Sequence, residues 1–206
     1  MRIHRIINSV FTSNTYVLTD EGKNAFLIDI GDVQPVKEFL DITGKSLKAV
    51  FFTHIHYDHI YGIKDLMKIY PECMIFTSSF GKEALNSDKL NFSRYHNDPI
   101  VWNGDNICVL KESSLITVVP GMVLEVFETP GHDKSCLTYK IGTDIFSGDS
   151  YIPGLKVIAS FPNSNKEDAR KSRERIIRLS ENCNLYPGHG DAYIHYNCRV
   201  ERGETS

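Results

Sequence analysis

A buried strand that leads directly into a cluster of histidines and aspartate constrains this chain more than any other feature. Residues 49–52, Ala-Val-Phe-Phe, are too few and too apolar for an amphipathic helix and predict a buried strand. The motif His54-x-His56-x-Asp58-His59 follows at once and holds three imidazoles and a carboxylate. Because alternate residues of an extended chain point the same way, His54 and His56 can bind one ion from one side. Asp58 and His59 would face a second position, so the segment predicts a metal site at the end of a strand.

A metal site needs more ligands than this cluster supplies, and the rest of the chain offers them in three similar turns. Each turn follows a predicted strand and places His or Asp beside Gly, where the backbone can bend tightly and approach a ligand closely. Imidazole and carboxylate ligands without thiolate favour zinc, iron or manganese over calcium or magnesium. The three turns are Pro130-Gly131-His132, Ser147-Gly148-Asp149 and Pro187-Gly188-His189.

Alternating strand and helix patterns fill the remainder of the chain. Short apolar or period-two runs between turn residues predict strands at residues 15–19, 25–30, 49–52, 74–76, 122–127, 137–141, 144–146 and 184–186. Apolar residues at helical spacing predict helices at about residues 33–42, 58–69 and 82–85, and a last helix from Ser164 or Asn165 to about residue 179. Residues 86–102 are polar, lack clear periodicity and predict a loop over the site.

Length and composition favour one globular domain, residues 1–206, and argue against several classes of partner. Hydrophobic residues make up 41% and charged residues 24%, which is typical of a globular chain. The net charge of −3 offers no basic field for nucleic acid or an anionic membrane, so we expect a small-molecule substrate and leave the oligomeric state open. Five separated cysteines without a C-x-x-C pair, and no cleavable or membrane-spanning segment, favour a cytoplasmic location.

Taken in order, Asp29, the histidine cluster and the three glycine turns resemble the metallo-β-lactamase superfamily, specifically its glyoxalase II-like (hydroxyacylglutathione hydrolase-like) branch. The resemblance covers nearly the whole chain and extends to residues 89–95, Lys-Leu-Asn-Phe-Ser-Arg-Tyr, which look like a segment common in that branch. It implies an α/β fold, a four-layer αββα sandwich of two mixed β-sheets flanked by helices. It also implies a ligand set: one metal held by His54, His56 and His132, a second by Asp58, His59 and His189, with Asp149 bridging and Asp29 supporting the shell.

Two cations held close together indicate hydrolysis. They lower the pKa of a bridging water toward neutrality, which provides hydroxide as the nucleophile, and they polarise the substrate carbonyl. The sequence thus predicts a metal-dependent hydrolase of a thioester or related acyl substrate. The enzyme would bind two divalent ions, for which zinc is favoured over iron or manganese. Asp58 or Asp149 would carry a proton in the collapse step. Arg94, within residues 89–95, is a candidate for contact with an anionic substrate.

Alternatives to this function stay open, and the chain departs from the family pattern at two places. A mononuclear iron persulfide dioxygenase-like oxidoreductase resembles the same scaffold, a lactone hydrolase would use the same centre, and a structural metal site is the non-enzymatic option. Family members commonly follow the third-loop histidine with Thr-x-Gly-Ser, whereas Asp133-Lys134-Ser135-Cys136 follows His132 here, so the residues behind the ligands are not predicted. Glyoxalase II proper also carries a helical C-terminal extension for glutathione, and only a short segment follows His189, so a glutathione thioester is not assured.

Overall fold

Two β-sheets lie face to face in this computed structural model, which describes residues 1–119 and 121–195. The first sheet contains β1 (Arg2–Ile7), β2 (Asn14–Thr19), β3 (Asn24–Ile28), β4 (Ser46–Phe51), β5 (Met74–Ser78) and β6 (Ile107–Leu110). These strands lie in sequence order, antiparallel from β1 to β3 and parallel from β3 to β6. The sheet is therefore mixed, as the resemblance implies.

The second sheet is also mixed, and helices cover the outer faces of both. Its strands are β7 (Leu115–Val119), β8 (Met122–Glu128), β9 (Leu137–Ile141), β10 (Asp144–Gly148) and β11 (Asn184–Pro187). They lie in the order β11-β10-β9-β8-β7, with parallel pairing between β10 and β11 and antiparallel pairing elsewhere. The helices are α1 (Val33–Thr43), α2 (Tyr57–Ile60), α3 (Ile63–Ile69), α4 (Ser79–Leu85) and α5 (Lys166–Leu179), with a 3₁₀ turn at Ser93–His96.

Period-two alternation in the central strands separates the apolar layers. In β3, Ala25 and Leu27 pack with α1, α3 and α4, whereas Phe26 and Ile28 pack against the second sheet. On the outer face of the second sheet, Ile145 of β10 packs with α5. Burial of one large apolar side chain in such a layer contributes about 1.5–3 kcal/mol. The three layers of contacts make the αββα sandwich and confirm the expected fold class.

The structure differs from the sequence-based elements in two respects. The helix predicted over residues 58–69 is divided into α2 and α3, because the chain turns at Gly62, where a Cβ atom would lie 2.0 Å from the carbonyl oxygen of Gly31. The strands β1, β6 and β7 were not predicted, and each lies at the edge of its sheet. Among the residues described, no helix is long and apolar enough to cross a membrane.

Candidate metal centre

Loops at one end of the sandwich, together with the short helix α2 that carries Asp58 and His59, hold all seven residues that the sequence singled out as metal ligands. These loops follow β4, β8, β10 and β11. Among the described residues, three groups of three have ligand atoms within 4.8 Å of one another, and one of them joins Asp29 to His54 and His59. The other two groups contain only residues that the sequence predicted as ligands. We call them the first trio, His54, His56 and His132, and the second trio, Asp58, His59 and His189.

Asp149 lies between the two trios. Its Oδ2 is 3.6 Å from Nε2 of His132 and 3.4 Å from Nε2 of His189. Its Oδ1 is 3.6 Å from Nε2 of His59. A carboxylate with oxygens near both trios has the position that a bridging ligand needs. The assignment of the seven residues as ligands stays a prediction, which this geometry supports.

The donor atoms of this centre fit metal ions better than they fit one another. Nε2 of His54 and Oδ1 of Asp149 are buried and have no hydrogen-bond partner among the described residues. A buried polar atom left without a partner costs about 1–3 kcal/mol. Ring nitrogens also crowd together, with Nδ1 of His56 3.0 Å from Nε2 of His132. Cations would satisfy these atoms, because imidazole and carboxylate are ordinary ligands of zinc, iron and manganese.

Asp29 holds histidines of both trios from behind. Nδ1–H of His59 donates to Oδ2 of Asp29 at 2.9 Å, and the backbone N–H of Thr53 donates to Oδ1 at 2.7 Å. The Thr53 hydroxyl donates to Oδ2 of Asp29 at 2.7 Å and accepts a hydrogen bond from Nδ1–H of His54 at 3.1 Å. Metal-binding histidines usually have the second ring nitrogen held in this way, which leaves Nε2 free for the ion. The expected supporting role of Asp29 agrees with these contacts.

The residues after His132, which depart from the family pattern, place a second carboxylate behind the first trio. Asp133 is buried, and its Oδ1 accepts hydrogen bonds from the backbone N–H and the hydroxyl of Ser135. Its Oδ2 lies 3.5 Å from Nε2 of His56. His56 therefore presents Nδ1 to the centre, on the side of His132. Sequence reasoning left this role unassigned, although an Asp directly after a candidate ligand was a usable signal.

Backbone carbonyls hold the two remaining histidines. Nδ1–H of His132 donates to the carbonyl oxygen of Ile158 at 2.7 Å. Nδ1–H of His189 donates to the carbonyl oxygen of Phe11 at 3.0 Å. Sequence reasoning missed both partners, because a backbone carbonyl carries no residue-type signal and both lie far from their histidines along the chain.

The last glycine turn is shaped by close contact with the centre. A Cβ atom on Gly188 would lie 2.1 Å from Oδ1 of Asp149 and 2.9 Å from Cε1 of His59, so a larger residue would displace ligands. The Asn14 side-chain amide donates to the carbonyl of Pro187 at 3.0 Å, and its backbone N–H donates to that of Gly188 at 2.7 Å. Asn14, at the start of β2, thus fixes the loop that carries His189, and sequence reasoning missed it.

The protein groups alone give the two trios different charges. Burial and the neighbouring imidazoles hold the pKa of His54 well below 6.5, and burial also lowers the pKa of His132. Burial is outweighed in the second trio by nearby carboxylates, which raise the pKa of His59 to about 9 and that of His189 to about 10. Burial would raise the pKa of Asp149, but the imidazoles around it outweigh burial and hold this pKa well below 3.8. His54 and His132 of the first trio thus offer neutral imidazoles, and the second trio is a network of imidazolium and carboxylate groups.

The centre forms the floor of a cleft of about 680 Å³. Residues of both trios and Asp149 line the floor. Cavities of this size, with apolar walls and a few convergent polar groups, are typical of small-molecule sites. The walls are mainly aromatic, and we call the following side chains the aromatic wall: Phe11, Tyr57, Phe92, Tyr95, His96 and Phe161.

Two side chains of interest from the sequence lie away from the cleft floor. The guanidinium of Arg94 is exposed, donates to Asp88 at 2.6 Å and is not among the described residues that line the cleft. Contact between Arg94 and substrate therefore stays a prediction without support from this geometry. Cys136 is fully buried, and burial raises the pKa of its thiol, so it behaves as a small apolar core residue. Cys198 lies outside the described residues.

Comparison with known families matches residues 8–189 to the domain described as the metallo-beta-lactamase superfamily. The chain belongs to the metallo-β-lactamase superfamily. Its similar proteins include a hydroxyacylglutathione hydrolase of Tolumonas auensis, 25% identical over 177 residues that cover 85% of this chain and 61% of that protein. A probable metallo-hydrolase of Streptococcus pyogenes serotype M6 is 28% identical over 203 residues, 92% of this chain and 84% of that protein. The resemblance to the glyoxalase II-like branch is thus confirmed at modest identity, and the chain spans about three fifths of the hydroxyacylglutathione hydrolase.

Solved structures share the fold of this chain. The BLEG-1 B3 metallo-beta-lactamase matches with a TM-score of 0.84 and 22% identity, covering 93% of each chain. The protein TTHA1623 in a di-iron-bound form matches with a TM-score of 0.77 and 22% identity, covering 92% of this chain and 93% of that one. At these identities the likeness establishes the architecture alone.

Proposed function

We propose that this chain is a binuclear metallohydrolase that cleaves a thioester or a related acyl substrate. The observation that carries the proposal is the pairing of two ligand trios around Asp149 at the floor of an open cleft. A structural zinc site is usually closed by four protein ligands, whereas an open cleft leaves room for substrate. The relatives named hydroxyacylglutathione hydrolase support acyl transfer from a thioester to water. Glutathione is not part of the proposal, because the similarity spans about three fifths of those proteins.

Each part of the centre has a role that its position suits. The ligand sets suit two divalent cations, zinc before iron or manganese, which would lower the pKa of a water and polarise the carbonyl. Asp149 directs an oxygen toward each trio and would hold the two halves of the centre in register. Asp58 lies 3.2 Å from Nε2 of His189 with its side chain 14% exposed, so it is placed to move a proton between substrate and solvent.

A small-molecule substrate suits the volume of the cleft. Its 680 Å³ lies within the range of about 300–1,000 Å³ that small-molecule sites occupy. The four described cysteines are unpaired, which agrees with a reducing compartment, and a cytoplasmic location stays a prediction from that pattern.

Metal content and hydrolysis together test the proposal. Protein purified without added metal would be analysed for bound ions, then loaded with zinc, iron or manganese and assayed against thioesters and lactones. His56→Ala removes a ligand of the first trio, so we expect kcat/KM to fall by more than the 10–100-fold, roughly, that loss of an outer-shell partner costs. His4→Ala is the matched control, because His4 stacks on Phe39 outside both trios. Unchanged hydrolysis by His56→Ala would contradict the proposal.

The oxidoreductase alternative has one observation in its favour. His56, His132 and Asp149 lie together and match the two-histidine, one-carboxylate set of non-haem iron oxygenases. One iron per chain, with oxygen consumption on glutathione persulfide and no hydrolysis of thioesters or lactones, would replace the hydrolase proposal.

A further inference from the structure

The walls of the cleft carry exposed aromatic rings from three separate segments. Phe11 lies in the turn between β1 and β2, Phe92 and Tyr95 lie after α4, and Phe161 lies before α5. Phe11 is 62% exposed, Tyr95 66% and Phe161 39%, so these rings face the cleft and solvent instead of the core. Contiguous exposed apolar surface beside a polar centre is typical of a ligand site.

Two of these rings stand on backbone in the left-handed region. Phe92 has a φ of 64° and Phe11 a φ of 52°, values that bulky residues rarely adopt. The Phe92 ring centroid lies 5.1 Å from that of His56 and 5.5 Å from that of Phe161. Such backbone conformations persist where surrounding contacts enforce them, and they cluster at ligand sites. The fold thus holds an aromatic side chain beside the first trio against its backbone preference.

Charged groups of the cleft are confined to its floor. Within residues 1–119 and 121–195, no lysine or arginine lines the cleft, and its acids are Asp58 and Asp149. Lys156, which lies close to Phe161 along the chain, lines a separate groove with Arg170 and Arg173. A charged group of a substrate would meet aromatic rings in the described walls, without an opposite charge to offset its loss of water.

We propose that the cleft selects a thioester whose acyl group is apolar and uncharged, either arylacetyl or medium-length alkanoyl. This inference rests on the proposed hydrolase function and adds the class of substrate. In the reaction, the oxygen of water forms a bond to the acyl carbon and the carbon–sulfur bond breaks. One hydrogen of water protonates the departing thiolate, and the other is released as a proton when the acid product ionises. Phe92 and Phe161 cover the acyl group, and the carbonyl faces the floor.

A substrate series with one neutral thiol tests the selection. Acetyl, butanoyl, hexanoyl and phenylacetyl thioesters of N-acetylcysteamine would be compared on the metal-loaded enzyme, together with hexanoylglutathione and lactoylglutathione. We expect kcat/KM to rise up to about fourfold for each methylene buried, which is the transfer free energy of one methylene expressed as a rate ratio. The kcat/KM for hexanoylglutathione should not exceed that for the hexanoyl thioester of the neutral thiol. A flat or falling series, or a preference for lactoylglutathione, would overturn the inference and leave the hydrolase proposal standing.

Variants of the wall separate its contribution from that of the metal centre. Phe161→Ala should flatten the dependence on acyl length, and Phe161→Leu should restore part of it. Leu115→Ala is the matched control, because Leu115 is 66% exposed on β7 and does not line the cleft, so the dependence should stay as in the parent protein. A full length dependence in Phe161→Ala and Phe92→Ala would show that the aromatic wall does not select the acyl group.

Binding of the acid products at equilibrium tests the preference for apolar acyl groups without a measurement of turnover. Calorimetric titration of the metal-loaded protein with butanoate, hexanoate and octanoate should give tighter binding with each added methylene. Absence of thioester and lactone hydrolysis by metal-loaded protein would refute the hydrolase function and, with it, the inference. Equal affinities for the three acids, in an enzyme that does hydrolyse thioesters, would refute the inference alone.

Discussion

The two halves of the candidate metal centre use different chemistry on the same scaffold. The first trio consists of three imidazoles that are 0–6% exposed. The second contains the carboxylate of Asp58 and lies nearer to solvent, with the His189 side chain 20% exposed. Burial therefore lowers the pKa of His54 and His132, whereas the nearby carboxylates together outweigh burial and raise the pKa of His59 and His189. Low pKa values at His54 and His132 leave lone pairs available to an ion, but His59 and His189 must lose protons first.

The largest expected difference between the trios lies in how metal binding depends on pH. The pKa values of about 9 and about 10 at His59 and His189 lie above the usual 6.5, so both side chains hold protons at neutral pH and lose them as the pH rises. An ion that binds there displaces about two protons, so its affinity should rise by up to about two orders of magnitude per pH unit. At the first trio, burial keeps His54 and His132 neutral at neutral pH, so an ion there should displace fewer protons and its affinity should depend less on pH.

Metal stoichiometry at fixed free zinc measures this difference. Equilibrium dialysis should show about one ion per chain at acidic pH and about two at alkaline pH. Calorimetry in buffers of different ionisation enthalpy should assign the proton release to the weaker of two binding events. Equal pH dependence for both ions would remove the proposed distinction between the trios.

Replacement of Asp29 should weaken metal binding in both halves of the centre, because this carboxylate holds His59 directly and His54 through Thr53. Asp29→Asn keeps the shape of the side chain but removes its charge. Because both oxygens of Asp29 accept hydrogen bonds from N–H groups, the NH2 of Asn would face an N–H donor in either orientation. We expect affinity for both ions to fall by 10–100-fold, roughly, the usual cost of losing an outer-shell partner. Competition with a chromophoric chelator would measure this loss.

Asp191→Asn is the control for Asp29→Asn, because Asp191 is an exposed carboxylate that pairs with Arg5. A thermal midpoint would be recorded for each variant, to separate metal loss from loss of the fold. If Asp29→Asn weakens one ion and leaves the other unchanged, the relay through Thr53 to His54 does not carry the effect.

Features that depend on residues close together in sequence could be predicted, whereas features that depend on residues far apart in sequence could not. The candidate ligands were accessible from sequence because His54, His56, Asp58 and His59 are neighbours and the other three lie beside glycines at strand ends. Central strands such as β2 and β10 were accessible because both of their faces are largely buried. Three of the four edge strands, β1, β6 and β7, were missed. In β1 the polar residues Arg2, His4 and Arg5 interrupt the apolar pattern, whereas β6 and β7 are short, mainly apolar runs.

Contacts between distant segments account for the rest. The carbonyls of Ile158 and Phe11 that hold His132 and His189 lie 26 and 178 positions away in sequence. No local pattern marks such a partner, since any residue type supplies a carbonyl oxygen. The aromatic wall is likewise assembled from four segments whose residues, taken singly, resemble ordinary core positions. Sequence thus predicted the candidate ligands and the supporting Asp29, whereas the carbonyl contacts and the walls of the cleft needed the structure.

Asp133→Asn should have the smallest effect on metal affinity. It distinguishes the contact that supports the first trio alone from the Asp29 contacts that both trios share. Asp133 lies behind one trio only, and its 3.5 Å contact with His56 is longer than the 2.9 Å bond between His59 and Asp29. Asn at this position would keep an oxygen for the Ser135 N–H and hydroxyl, so the loop should stay folded. We expect about tenfold weaker binding of the first ion, at the low end of outer-shell effects, with the second ion unaffected.

The same chelator competition, carried out beside Asp29→Asn, checks this order. A loss larger than that of Asp29→Asn would show that the Asp133–His56 contact is the stronger support once metal is bound. In that case the long contact would reflect a centre that tightens around its ions, and the two trios would differ in charge but not in how firmly the fold orients them. A loss confined to the first ion, and smaller than that of Asp29→Asn, would mean that the fold supports the two halves unequally, with Asp29 as the residue they share.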